Sequence, residues 1–441
     1  MTTTTARQQL RALLTITLAI TTGATVAALG PPAETPAAAQ PATGPMVPLN
    51  LPAKPTIAGP KTVQPAVSDT CSNPKPAATH NHKLVVCLTT TPGTASATAR
   101  TAAGTVTPNA TVGSNCRLIK ALWEIDRTTA CIQSMGLTAE VRDPDTKDVI
   151  ASQHFLVNQN IILNTNSPGF VENDTVTRDA LSSDTIFTRM EVNFFARCDA
   201  PCQTNNPATT LFLPARGSSQ NFSISYFGSP ASGGSDMFNT HYSFAVVLLD
   251  EVLVSDTFTW NSPESIRCDD KLRPRLPGCV FSFWGPLLTL PVSVYGAAAI
   301  NVAVGQSRLI LPFGTQNSPL TRGDTSISDP NRNAVCDGSF FPSLLLVQND
   351  SCDEYPFAST QQSAAQRGFT GVSCLEIMPL QKTGEWVIWL LNGDSANLNV
   401  HPCVRGHVNK DQNVAVGTAV STMYTNYRML TGDAYAVEVT L

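Results

Sequence analysis

Apolar and polar residues alternate through much of the middle of the chain. Asn221-Phe-Ser-Ile-Ser-Tyr-Phe227 has the period of two expected of a half-buried strand. Phe244 to Leu249 and Val252 to Trp260 are strand-length apolar runs separated by Asp250-Glu251, which predicts a hairpin. Met190 to Phe195 and Val280 to Trp284 read as two further strands, and turn clusters such as the one from Gly228 to Gly234 punctuate them. One segment, Arg117 to Arg127, reads as a short helix with Leu118, Leu122 and Trp123 on one face. The expectation is a mainly β N-terminal domain over 71–304, a β-sandwich built from short strands and regular turns. After Val304 the Gly305-Gln306-Ser307 step breaks an apolar run and marks the start of a second domain, 305–441. Within it Trp386 to Leu391 and Ala434 to Val439 read as core strands.

The first residues read as an export signal. Arg7 and Arg11 give a positive region, and Leu13 to Leu29 is an uncharged apolar run diluted by threonine. Cleavage is expected after Ala28 or after Ala39 in Ala37-Ala38-Ala39, the latter bounding a signal of 1–39, and leaves no stable membrane association. The competing reading is a single membrane anchor, which the threonines and the lack of a charged stop disfavour. A Pro/Ala/Thr-rich linker, 40–70, follows; its composition buries no core and reads as a spacer.

All twelve cysteines follow the signal: Cys71, Cys87, Cys116, Cys131, Cys198, Cys202, Cys268, Cys279, Cys336, Cys352, Cys374 and Cys403. An even count in an exported chain predicts disulfides, paired by proximity as 71–87, 116–131, 198–202, 268–279, 336–352 and 374–403. Cys198 and Cys202 also have permissible zinc spacing, but no second close pair accompanies them. His80 and His82 fit an i, i+2 metal pair, though surface histidines are the plainer reading; His154 and His241 stand alone in strand-like sequence.

Charge makes the second domain unusual. The whole chain has 28 Lys and Arg against 33 Asp and Glu. From residue 305 onward the balance is eight against twelve. A protein holding nucleic acid by charge alone would be basic. Against this background, Cys352-Asp353-Glu354-Tyr355-Pro356-Phe357-Ala358-Ser359 sets two carboxylates side by side before a proline-locked aromatic pair. Read by itself the stretch is an acidic turn or a pair of ligands for a hard cation.

The nonapeptide Cys-Asp-Glu-Tyr-Pro-Phe-Ala-Ser-Thr beginning at Cys352 resembles the signature of the NucA/NucB deoxyribonucleases, in their longer secreted actinobacterial form. Other pieces follow in the expected order: Asn331-Arg332 and Cys336, Cys374-Leu-Glu-Ile377, Cys403-Val-Arg-Gly-His-Val408, Gln412-Asn413, Gly417 and Arg428-Met-Leu-Thr-Gly-Asp-Ala-Tyr435. The resemblance covers roughly the last 130 residues. It implies a small α+β nuclease domain of ββα-metal type, a divalent metal cofactor, and DNA as substrate. An asparagine at the place of Asn413 resembles the metal-binding asparagine of ββα-metal nucleases. Gln412 departs from the pattern, where an acidic residue often precedes that asparagine.

From the residue chemistry, Asp353 is assigned as general base or metal ligand, and Glu354 as second ligand or arginine partner. Oxygen donors of this kind suit Mg²⁺ or Mn²⁺, with Ca²⁺ also acceptable. Neighbouring strand residues face opposite ways, so both carboxylates reach one ion only if the chain bends at or before them. His407 is a candidate proton donor to the leaving oxygen. Arg332 and Arg405 are candidates for phosphate contact. Arg428 and Asp433 are expected to set up the last hairpin. The rival reading is a non-enzymatic secreted binding protein with an inactive nuclease-like domain. Under either, the N-terminal domain is open to cell-wall, glycan or DNA contact, or to a role only in shielding the nuclease.

Overall fold

The computed structural model describes residues 45–48, 61–65, 69–72, 84–90, 121–179, 189–249, 253–272, 274–392 and 398–441. The signal segment, most of the linker, His80, His82 and Cys116 lie outside them. Among the described residues no helix is long and apolar enough to cross a membrane.

Strand dominates the first part of the chain. The short strands β1 (Met46–Pro48), β2 (Lys61–Val63), β3 (Val85–Thr90) and β4 (Trp123–Ile125) precede two long ones, β5 (Thr129–Arg142) and β6 (Val149–Ile162). β7 (Gly169–Arg178), β8 (Met190–Cys198), β9 (Gln203–Asn205), β10 (Ala208–Phe212) and β11 (Ser219–Phe227) follow. Then come β12 (Ser235–Phe238), β13 (Thr240–Leu248), β14 (Leu253–Val254), β15 (Phe258–Asn261), β16 (Ile266–Asp269) and β17 (Gly278–Phe281). One sheet runs β2-β4-β5-β6-β7-β11-β9 with β3 beside β5, and a second runs β10-β8-β13-β14 with β15 beside β13. Buried and less buried positions alternate strictly along β13 and along β6 from Ile150 onward. Their inward rings meet across the sheets, as Phe155 does Phe244 at 5.3 Å between centroids. The first core therefore forms where two alternating patterns face each other.

The second part adds β18 (Leu287–Pro291), α1 (Val292–Arg308), β19 (Leu320–Thr321), α2 (Ser328–Val335), β20 (Asp350–Tyr355), β21 (Leu375–Lys382), β22 (Glu385–Leu390), β23 (Val404–Asn409), α3 (Lys410–Asn426) and β24 (Ala434–Thr440). Its main sheet has the order β1-β22-β21-β23-β20. α1 and α3 pack on this part's core, which gathers Ala298, Ile300 and Val302 with Ile377, Val404 and Met423.

Several expectations change. Trp123 to Ile125, read as helical, pairs with β5 as β4, because Trp123 and Ile125 are better buried against a sheet than on a lone helical turn. The run from Val252 to Trp260 is two strands, β14 and β15. Met46–Pro48 and Lys61–Val63, inside the supposed spacer, add to sheet edges at β22 and β4. The Gly305 step lies inside α1, and the second core already starts at Leu288. Five expected disulfides are formed: 71–87, 198–202, 268–279, 336–352 and 374–403. That many crosslinks suits an oxidising compartment.

A buried ionic clamp joins the two cores. Arg267 Nη1 and Nη2 donate to the Asp433 carboxylate at 2.7 and 2.9 Å, and Arg127 pairs with the same group. Arg428 Nη2 pairs with Asp269 at 2.8 Å, and its Nη1 donates to the carbonyls of Thr165 and Leu276 at 3.0 and 2.8 Å. Asp433 also accepts from the Leu430 N–H, but the turn it shapes joins α3 to β24 and is not the expected hairpin, since β24 pairs with β18 and β19. Its larger role is to neutralise two arginines from the other core.

Candidate functional site

A cavity of about 520 Å³ opens where α2, α3, the turn after β20 and the loop between β16 and β17 meet. Asp353, Glu354, Arg332 and Asn413 all line it.

β20 delivers the two acids. Strand alternation turns Asp353 toward α1, where Asn301 Nδ2 donates to its Oδ2 and to its carbonyl, each at 3.1 Å. It turns Glu354 toward α2, where Arg332 Nε lies 3.6 Å from Oε1. The expected bend does not occur at the carboxylates: the strand runs on through Tyr355 and the chain turns at Pro356. Both acids reach the cavity because it lies at the strand's end, where the Pro356 turn curls back. Asn331 Nδ2 donates to the Ala358 carbonyl at 2.7 Å and so pins this turn to α2.

The acids are short of positive charge. Burial, and then the neighbouring Glu354 charge, push the Asp353 carboxyl well above the usual range, against the Asn301 hydrogen bond and Arg332. Burial pushes Glu354 up to about 7, against Arg332 and the backbone N–H groups of Glu354 and Ala358. Arg332 is half-exposed and also faces Asp329 at 3.4 Å, so it neutralises the pair only in part.

α3 supplies the amide. Asn409 caps the helix, its side chain accepting from the Asp411 N–H at 2.8 Å. One turn in, Asn413 Nδ2 donates to the Cys352 carbonyl at 2.8 Å and to Ser351 Oγ at 3.2 Å. Its nitrogen is committed to the strand, which leaves the oxygen as the donor atom for a ligand. Gln412 does something else. Its Oε1 accepts from the Ala297 N–H at 2.9 Å, where α1 is broken at Gly296 with φ 52°. It caps the second segment of α1, and a Cβ at Gly296 would come within 2.3 Å of its amide.

His407 and Arg405 are not brought to the cavity. His407 lies 2.6 Å from Asp350 and 3.0 Å from Glu376, one ring nitrogen on each, and stacks on Phe340 at 4.3 Å between centroids. Burial alone would lower its pKa, but the bonds and charges of Asp350 and Glu376 outweigh it and hold the ring charged above its ordinary range. Arg405 is buried, bonded to Glu376 at 2.5 Å and to Ser339 Oγ at 2.8 Å. Both build an internal ionic network. The other isolated histidines are likewise engaged: His154 with Thr138 Oγ1, and His241 with Asp199 and Asn261.

Sequence reasoning missed Asn301, Arg275 and Arg322, the last two on the cavity wall. A signal existed for Asn301, a lone polar residue in the apolar run from Ala297 to Val304.

The donor set around the cavity is two carboxylates and an amide oxygen, which suits a hard divalent cation. Two adjacent buried acids with one partial counterion are a place where such a cation relieves repulsion. Among the described residues the closest trio of His, Cys, Asp or Glu ligand atoms is elsewhere, at Cys71, Cys87 and Glu140. Its two sulfurs are spent in a disulfide. No family model, curated protein or solved structure matches this chain.

Proposed function

We propose that the protein is a secreted, metal-dependent deoxyribonuclease that hydrolyses DNA phosphodiester bonds endonucleolytically, with a nuclease domain of ββα-metal type. What supports this is convergence. Asp353, Glu354, Asn413 and Arg332, picked from separate motifs of the NucA/NucB resemblance, line one cavity.

Asp353 and Asn413 would hold Mg²⁺ or Mn²⁺ through oxygen atoms, while Glu354, turned to the other side of the straight strand, is the partner of Arg332. The bound cation supplies charge neutralisation, a contact to a phosphate oxygen and a water of lowered pKa. Asn301 locks the Asp353 carboxyl in place, which fixes the geometry of the reacting centre. Arg332, already within 3.6 Å of Glu354, is placed to take a phosphate oxygen and the charge that develops on it. His407 has both nitrogens engaged by carboxylates and takes no part in leaving-group protonation.

The test is plasmid nicking by the oxidised protein with Mn²⁺ or Mg²⁺. Asp353→Ala is expected to lower the rate by about 10²–10⁴-fold, and chelation to abolish it. Full cutting by Asp353→Ala would move the chemistry elsewhere. A folded wild type that cuts with none of several metals would leave the binding-protein reading.

A further inference from the structure

We propose that Arg275, carried by the N-terminal β region, is a binding residue for the phosphate backbone of the substrate. The β region is then one wall of the nuclease groove and no separate module. This rests on the nuclease reading above.

The wall is built by the hairpin β16–β17. Its loop places Leu272, Pro274 and Arg275 on the cavity that Asp353, Glu354 and Arg332 also line. Two devices fix the loop. The Cys268–Cys279 disulfide ties its base. The clamp holds its flanks, since Arg428 pairs with Asp269 and donates to the Leu276 carbonyl at 2.8 Å. The Arg428 to Tyr435 motif, which lies outside the cavity, thus positions a loop that lies on it.

Arg275 is the cation on this wall without an acid. Its Nη1 donates to the Thr425 carbonyl, at the end of α3, at 3.2 Å and to Asn166 Oδ1 at 3.4 Å. No carboxylate pairs with it, and its Nε and Nη2 take no acceptor, among the described residues. The other arginines here are more committed. Arg332 faces Glu354 and Asp329. Arg322 bonds the Met429 carbonyl and lies over the Tyr424 ring at 4.9 Å. A half-buried guanidinium whose Nε and Nη2 edge is open, on the same cavity as a candidate phosphodiester-cleaving centre, is suited to a phosphate oxygen. It also answers the charge problem: an acidic domain borrows a cation from its neighbour for a polyanion.

The experiment uses the full oxidised chain. Arg275→Gln is expected to raise KM for DNA about 10- to 100-fold with kcat little changed, the loss of one charge-assisted contact. It is expected to leave Mn²⁺-dependent cleavage of bis(p-nitrophenyl) phosphate unchanged, because that diester has no flanking phosphates. Binding of a short fluorescein-labelled oligonucleotide, read by anisotropy in an Asp353→Asn background, should weaken by the same factor and lose about one ion from its salt dependence. Arg216→Gln, an exposed arginine outside the cavity, should change nothing. Arg275→Lys, which keeps charge but not the fork, guards against a folding defect and should fall between. Unchanged KM and binding in Arg275→Gln, beside an active wild type, would overturn the inference and spare the nuclease. A wild type inert on both substrates, whose oligonucleotide binding still depends on Arg275, would sink the nuclease and keep the anion-binding wall. A wild type that neither cuts nor binds would overturn both.

Discussion

Asp433→Ala removes the one carboxylate shared by Arg127 and Arg267 at the junction of the two cores. The side chains of these arginines are 1% and 9% exposed, so water does not replace the lost partner. Arg267 keeps Asp269 at 3.2 Å, so the uncompensated charge is that of Arg127, and breaking such a buried pair from one side costs about 3–5 kcal/mol. Residues Ala42–Leu441 form one compact unit. Over roughly 400 residues at about 2.1 cal/mol/K per residue, the loss becomes about 4–6 °C in Tm. Calorimetry is the assay. The wild type should melt in one transition, and Asp433→Ala lower and in two, since the clamp couples the cores. Acid should have a related effect. Burial by itself would raise the Asp433 pKa, but the bonds and charges of Arg267 and Arg127 hold it below the usual range. A depressed carboxyl contributes stability above its unfolded value near 4. That stability is lost as pH falls through the lower folded value. The wild type should thus lose Tm below about pH 4 more steeply than Asp433→Asn. An Asp433→Ala protein that melts at the wild-type temperature in one transition would refute the clamp.

Two further predictions concern the neighbours of the acids. The folded His407 pKa is raised, so its contribution is fully present below about pH 6.5 and fades as pH climbs through the folded value. Wild-type Tm should fall as pH rises above about 6.5 and through the raised folded value, and His407→Gln should lack that slope while still cutting DNA when folded. A variant that keeps the slope, or folds but loses cutting, would contradict the structural role. Asn301→Leu removes the donor that holds Asp353 and should weaken Mn²⁺ binding about 10- to 100-fold by titration calorimetry. Unaltered affinity would show that the helix does not position the acid.

How much was legible depends on the range of the interaction. Strand periodicity, the loop chemistry of Gly228 to Gly234 and the short-range cysteine pairs are local, and the chain shows them residue by residue. The segment from Trp123 to Ile125 failed as a helix because burial against β5 overrode a helical spacing that local pattern could not weigh. His407 and Arg405 looked catalytic because their residue types are common in active sites. Whether a histidine is free or held between two acids is a matter of which strands are neighbours, and β23 lies between β20 and β21.

By itself the sequence determined that the chain is mainly β and that ten of its cysteines pair within short loops, and its motif order set Asp353, Glu354, Asn413, Arg332, Arg405 and His407 together, of which the cavity gathers the first four. Those features rest on alternation, proximity and motif order, all readable along one dimension. Only the tertiary structure decided that Asn301 holds Asp353, that Gln412 caps a broken helix, and that Arg428 and Asp433 bind the other core. It alone brought Arg275 to the cavity. These are long-range pairings of buried charges and amides. Their partners follow from how two cores dock, since a buried polar group must find a partner wherever packing leaves it.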